Sequence, residues 1–235
     1  MNFLRHSLMA AQMQGRQLGR RRAALVIVVL LPVALYFSQT ASGPENAIAF
    51  GALGVAWALA TTALFASLSA RESEPRLILA GYTPTELMLG RALVLLLGGI
   101  VLCAGAALVM SVISNPVSEG DLLAACALVA VVSVPLGLAV GSLVPSDLEG
   151  TLIIIGAVGV QLSLPQNSPV NVLLPLDAPI QFATRAGGFP ASSQADMLLQ
   201  AAVYTLILLV VASVASSRRV GRRGRARTLE ASAHR

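Results

Sequence analysis

The stretch TLIIIGAVGVQLSL, Thr151 to Leu164, decides the fold, because it is almost wholly apolar yet only 14 residues long. A helix crossing about 30 Å of hydrocarbon needs roughly 20 such residues. The segment that follows, PQNSPVNVLLPLDAPIQFATRAGG, carries prolines at 165, 169, 175 and 179, which break any simple helix. The rest of the chain settles whether the stretch crosses.

Around it lie five longer apolar runs that read as spans: Ala23–Ser38, Ala47–Ser69, Ala92–Ser114, Leu122–Val144 and Met197–Ser216. The first is short, with Arg20, Arg21 and Arg22 placed to snorkel at one end. With 56% hydrophobic residues, 11% charged residues and a mean hydropathy of +0.78, the chain is too apolar for a soluble domain, so an all-α integral membrane protein is expected. Arg5, Arg16, Arg20, Arg21 and Arg22 precede the first span, and seven arginines from Arg218 to Arg235 follow the last. The positive-inside rule then puts both termini in the cytoplasm, which requires an even number of crossings. The loops Gln39–Asn46 and Asn115–Asp121 hold no arginine and three acids, as external loops should. Thr151–Leu164 is therefore expected to be the fifth of six spans, continuing into residues 165–196 as an external re-entrant or helical hairpin. A structured cap with no cargo contact is the competing reading of that excursion.

Residues 1–22 place Met1, Leu4, Leu8, Ala11, Gly15 and Leu18 at alternating spacings of three and four, as in an amphipathic helix lying in the membrane interface. A cleaved signal peptide is the competing reading. Residues 23–216 form the six-span domain, and residues 217–235 a basic cytoplasmic tail expected to meet anionic lipid rather than nucleic acid.

No Asp, Glu, Arg or His falls well inside any of these runs, which argues against an ion-coupled carrier. No carboxylate pair, nucleophile and base, or metal-ligand cluster is present for an enzyme. The neutral polar residues Thr61, Thr62, Ser133, Gln161 and Ser163 are candidates for a substrate path, against the plainer reading that each bonds a backbone carbonyl. Gly137 and Gly141, just after Pro135, form a GxxxG pair suited to close helix packing. Cys103 and Cys126 read as small apolar residues in separate spans.

One polar segment interrupts the apolar pattern: RESEPRLILAGYTPTELMLGR, Arg71 to Arg91. Thr83 is placed to cap a helix with Pro84 in its first position and Glu86 in its first turn, and a short helix is expected over Glu74–Ala80. Leu77, Ile78, Leu79 and Tyr82 offer an apolar face to a soluble partner, with Arg71, Glu72, Glu74 and Arg76 as its polar rim. Contact with the lipid interface is the competing reading.

ESEPRLILAGYTPTELMLGRALV resembles the cytoplasmic segment between the second and third spans of ABC-2 type permeases, the membrane subunits of ATP-binding cassette exporters. The matching elements are Glu72 and Glu74, Leu77 and Leu79, Gly81, Thr83 and Pro84, then Glu86, Leu87, Gly90 and Arg91. The chain departs from the family pattern at Pro75, where a flexible residue is commoner. The resemblance implies a non-catalytic permease that pairs with a second permease chain in a homo- or heterodimer and with two copies of an ABC ATPase subunit. Its coupling residues would be Arg71, Glu72, Glu74, Arg76, Leu77, Ile78, Leu79, Tyr82 and Glu86. ATP and Mg would be held by the ATPase and no cofactor by this chain, which carries no GxxxxGK[ST] motif. The implied setting is the plasma membrane, in bacteria the inner membrane. The implied cargo is lipophilic or amphiphilic: a drug-like natural product, a lipid or a hydrophobic peptide. The alternative is an ATP-independent carrier or channel, or a membrane assembly protein.

Overall fold

The computed structural model describes residues 22–72, 74–165, 168, 170–190 and 192–233, and among them it is all helical. The amphipathic helix expected over the first 22 residues lies outside that range except at Arg22. The helices are α1 (Arg22–Ser38), α2 (Pro44–Ser69), α3 (Glu74–Leu79), α4 (Pro84–Ser114), α5 (Glu119–Leu143), α6 (Asp147–Ser163), α7 (Asp177–Ala186) and α8 (Gln194–Ala233). Short 3-10 turns occupy Thr40–Ser42, Ala70–Glu72 and Asn171–Leu173.

Among the described residues four helices are long and apolar enough to cross a membrane: α2, α4, α5 and the Gln194–Arg218 part of α8. α1 and α6 have 17 residues each, about 26 Å at 1.5 Å per residue, and fall short of that length. Helix starts account for several differences from the apolar runs. α6 begins at Asp147 because the Ser146 hydroxyl accepts the Glu149 N–H. α4 begins at Pro84, eight positions before the apolar run at Ala92, so Arg91 lies two turns inside a helix rather than at its mouth.

α2 and α5 form the centre, and the other helices pack around them. The two run in the same direction at very short range. A Cβ on Gly137 would lie 2.0 Å from the Ala60 carbonyl oxygen, and one on Gly141 would lie 2.7 Å from the Ser67 Cβ. Only glycine allows this approach, and the small residues Ala60, Ala63 and Ser67 opposite complete the fit. α4 and α8 instead expose leucine, isoleucine and valine along most of their length, including Leu97, Val101, Leu108, Leu199 and Leu206. Cys103 of α4 donates its thiol hydrogen to the Cys126 carbonyl of α5 at 2.9 Å, so the two cysteines face one another across that contact.

Proline shapes α5 at two levels. Pro135 has no N–H to give the Val131 carbonyl four residues earlier, and the Thr205 hydroxyl of α8 lies 3.4 Å from that oxygen. Pro145, just past the helix, likewise leaves the Gly141 carbonyl without its usual donor.

Among the described residues between α6 and the start of α8 at Gln194 there are one α-helix, α7, and the 3-10 turn, where a re-entrant or helical hairpin is expected from the sequence. α7 packs against α2, α5 and α8, burying Ala178, Phe182, Ala183 and Ala186. α7 runs for ten residues after Pro175 with Pro179 in its first turn, where a missing N–H costs no intrahelical bond, and its amphipathic spacing supplies a face for the bundle.

Candidate functional site

The two ends of the bundle carry nearly all the polar contacts between its elements. At the α3 end, α2 stops at Ser69 and the chain turns through Ala70–Glu72 into α3, whose second residue is Pro75. Proline fits a first helical turn, where its missing N–H has no intrahelical partner. After α3, Gly81 takes φ +95°, which a Cβ would oppose, and Tyr82 N–H donates to the Leu77 carbonyl at 3.1 Å. Thr83 and Glu86 then form a reciprocal cap: the Glu86 N–H donates to Thr83 Oγ1 at 3.3 Å and the Thr83 N–H to Glu86 Oε2 at 2.8 Å.

Two arginines anchor this segment. Arg71 Nη1 donates to the Pro145 carbonyl at 2.9 Å, and Nη2 donates to the Gly141 carbonyl at 2.6 Å and to the Val144 carbonyl. It thus supplies the hydrogen that Pro145 cannot give to Gly141, and sets a positive charge at the C-terminal end of the α5 dipole. Arg91 of α4 is 3% exposed and donates through Nη2 to Glu74 Oε1 of α3 at 2.8 Å.

This geometry divides the expected coupling residues. Leu79 is 82% exposed and Arg76 is exposed, so these two face outward. Leu77, Ile78 and Tyr82 are half-buried, not free apolar ligands, because the Gly81 turn folds back on α3. Glu86 is buried in its cap, while Arg71 and Glu74 point into the protein; neither forms a polar rim. The Glu72 side chain lies outside the described residues. Arg91, absent from the expected coupling set, is the residue that ties α3 to α4, and its position seven residues after Pro84 is the available signal.

At the α7 end the contacts are of another kind. The buried Asp177 carboxylate accepts from Gln181 Nε2 at 2.7 Å and from Gln200 Nε2 of α8 at 3.4 Å. Burial pushes its carboxyl above the usual aspartate range, while the two amide hydrogen bonds pull it back. Gln200 and Tyr204 also donate to the Val172 carbonyl, at 3.1 and 2.9 Å, holding the 3-10 turn against α8. Arg185 of α7 pairs with Asp121 of α5 at 3.2 Å, and Gln194 donates to the same carboxylate at 3.2 Å. Asp177 is not among the expected site residues, because nothing in its local sequence marks it as drawn against α8.

The five polar candidates for a substrate path do not converge into a hydrogen-bonded group. Thr62 and Ser163 donate to their own helices, at the Ala58 and Gly159 carbonyls. Thr61 on α2, Ser133 on α5 and Gln161 on α6 each keep a buried oxygen with no hydrogen-bond partner. Compared with known proteins, the chain matches no family model and no curated protein.

Proposed function

We propose that the chain is the permease subunit of an ABC-2 type exporter, crossing the membrane six times with both termini and the α3 end in the cytoplasm. Two copies of a separate ATPase, using ATP and Mg, would act on a pair of permease chains. The observation that carries this reading is α3, a short helix standing outside the membrane-length helices and presenting Leu79 to solvent at 82% exposure. Burying such a leucine in a partner's groove contributes on the order of 1.5 to 3 kcal/mol. α1 and α6 supply the remaining two crossings, short at about 26 Å and helped by local thinning of the bilayer. The lone neutral oxygens of Thr61, Ser133 and Gln161 suit a lipophilic or amphiphilic cargo better than a charged one.

Leu79→Asp tests the reading. The side chain is exposed, so the variant should insert and accumulate like the unmodified chain, while an ATPase that co-purifies with the unmodified chain should be lost. Retention of the ATPase by the variant would remove α3 as the docking element. Cysteines introduced at Glu119 and Ser192, both exposed, should react with impermeant reagents outside intact cells. Reaction at only one of them would break the six-span topology.

A second reading, an ATP-independent carrier, is favoured by Asp177, a buried carboxylate bonded to the α8 side chain Gln200. Groups of this kind serve proton or cation coupling in membrane carriers. Cargo movement that follows a proton gradient without ATP, and fails in Asp177→Asn, would favour it.

A further inference from the structure

We propose that Arg71 and the Arg91–Glu74 pair are positioning residues that bolt the segment from Arg71 to Tyr82 to α4 and to the α5–α6 junction, so that force applied to α3 moves those helices instead of flexing a loop. The transmission part rests on reading α3 as the element that meets an ATPase; the bolting does not.

The geometry is specific. A loop joining two membrane-length helices needs only turn chemistry, and this one already has it in the Gly81 turn and the Thr83–Glu86 cap. The two arginines therefore do something beyond closing the loop. Arg71 reaches across to a helix end more than 70 positions away in sequence, and its guanidinium fork spans the Gly141, Val144 and Pro145 carbonyls. Ser146, the next residue, caps α6, so the same contact fixes where α6 begins. Arg91 sits about 10 Å along α4 from Pro84, where its guanidinium is almost sealed from solvent and meets Glu74 of α3. Fixed before and within α3 by charge-assisted bonds, and after it by the Thr83 cap, the segment has no slack in which to absorb a push. Its outward face, Leu79 with Arg76, takes no part in these contacts and stays free to meet a partner.

The bolting can be tested on the full chain in detergent micelles with trypsin, following cleavage after the exposed Arg76 and using Arg76→Gln to identify the band. Glu74→Gln, Arg91→Gln and Arg71→Gln should each speed that cleavage by about tenfold as the segment opens locally. Exchanging the charges, Glu74→Arg with Arg91→Glu, should restore slow cleavage; the new arginine precedes Pro75, a bond trypsin does not cut. Cleavage of the glutamine variants at the unmodified rate would overturn the bolting. So would fast cleavage in the charge exchange alongside normal far-ultraviolet helicity.

Transmission is tested in membranes that also hold the ATPase co-purifying with this chain. MgATP with vanadate should alter maleimide labelling of a cysteine at Glu119, at the far end of α5. The pair Arg71→Gln and Arg91→Gln should keep the ATPase bound and lose that response. A normal response in the pair would overturn transmission. No response in the unmodified background would instead overturn the reading of α3, with the proteolysis result still deciding the bolting.

Discussion

The α3 end and the α7 end of the bundle face the same physical problem and meet it with different chemistry. Each joins helices of the bundle through irregular backbone whose carbonyls need donors. At the α3 end the donors are charged: Arg71 covers the Gly141 carbonyl left open by Pro145 together with that of Pro145 itself, and Arg91 holds α3 through Glu74. At the α7 end the Val172 carbonyl is held by the neutral side chains Gln200 and Tyr204, and the nearby Asp177 carboxylate accepts from the amides of Gln181 and Gln200. Charged donors give stiff, geometrically demanding contacts, whereas neutral amides give weaker ones that exchange readily. The α7 end holds one charged contact of its own, Arg185 with Asp121, so compliance belongs to its Val172 turn and Asp177, and stiffness to the segment around α3.

The largest effect should come from Arg91→Ala, which leaves Glu74 facing a largely buried gap. A loss of about 3 kcal/mol is expected, at the low end for a buried pair because Glu74 keeps some contact with solvent. Thermal unfolding in micelles would measure it, and a loss no greater than that of a surface arginine would erase the contrast between the ends. Arg71→Ala should follow at about 2 kcal/mol, with Arg71→Lys recovering part of it, since an ammonium cannot span three carbonyls. Full recovery by lysine would mean that charge alone matters there, not the fork.

At the other end Gln200→Ala should cost about 1 kcal/mol, the loss expected for neutral hydrogen bonds. A cost equal to that of Arg91→Ala would show the α7 end to be as stiff as the α3 end. Smaller still, and visible only between two pH values, is the effect of Asp177→Asn. Burial raises the folded-state pKa of Asp177, so its carboxyl favours the folded state most when protonated, below its ordinary range. That advantage is lost as pH rises through the raised value. The unmodified chain should therefore lose stability relative to Asp177→Asn on going from acid to neutral pH, and a parallel response of the two would sever Asp177 from any pH dependence of this end.

Much of the α3 end was legible because its signals are local. Thr83, Pro84 and Glu86 sit at fixed spacing, and that spacing alone specifies the cap found there. The role of Arg71 was not legible: its partners are carbonyls, present at every residue, and what singles out Gly141 is a proline 74 positions beyond Arg71. The exposed face of α3 was only half legible, since Leu77 and Tyr82 look like Leu79 in sequence until the Gly81 turn folds them inward. Gly137 and Gly141 announced a close approach without naming the partner helix, because small residues are frequent in α2 and elsewhere. Asp177 was hidden for the opposite reason. Prolines mark its surroundings as a broken, external hairpin, and nothing local shows that Asp177 is drawn against α8.

Pro135 inside α5 and Pro145 just past its end also give this central helix a joint within it and another at its exit. Between Pro135 and Pro145 the chain is pressed onto α2 at Gly137 and Gly141 and has little room to move. At Val131 and Gly141 the hydrogen that would lock the next turn comes from side chains on other parts of the chain, Thr205 and Arg71. Each is a pivot with a removable pin, one weak at 3.4 Å and one strong at 2.6 Å. A displacement of α8 would draw the weak pin first, letting the Glu119 half of α5 swing while the half gripped by α2 stays still.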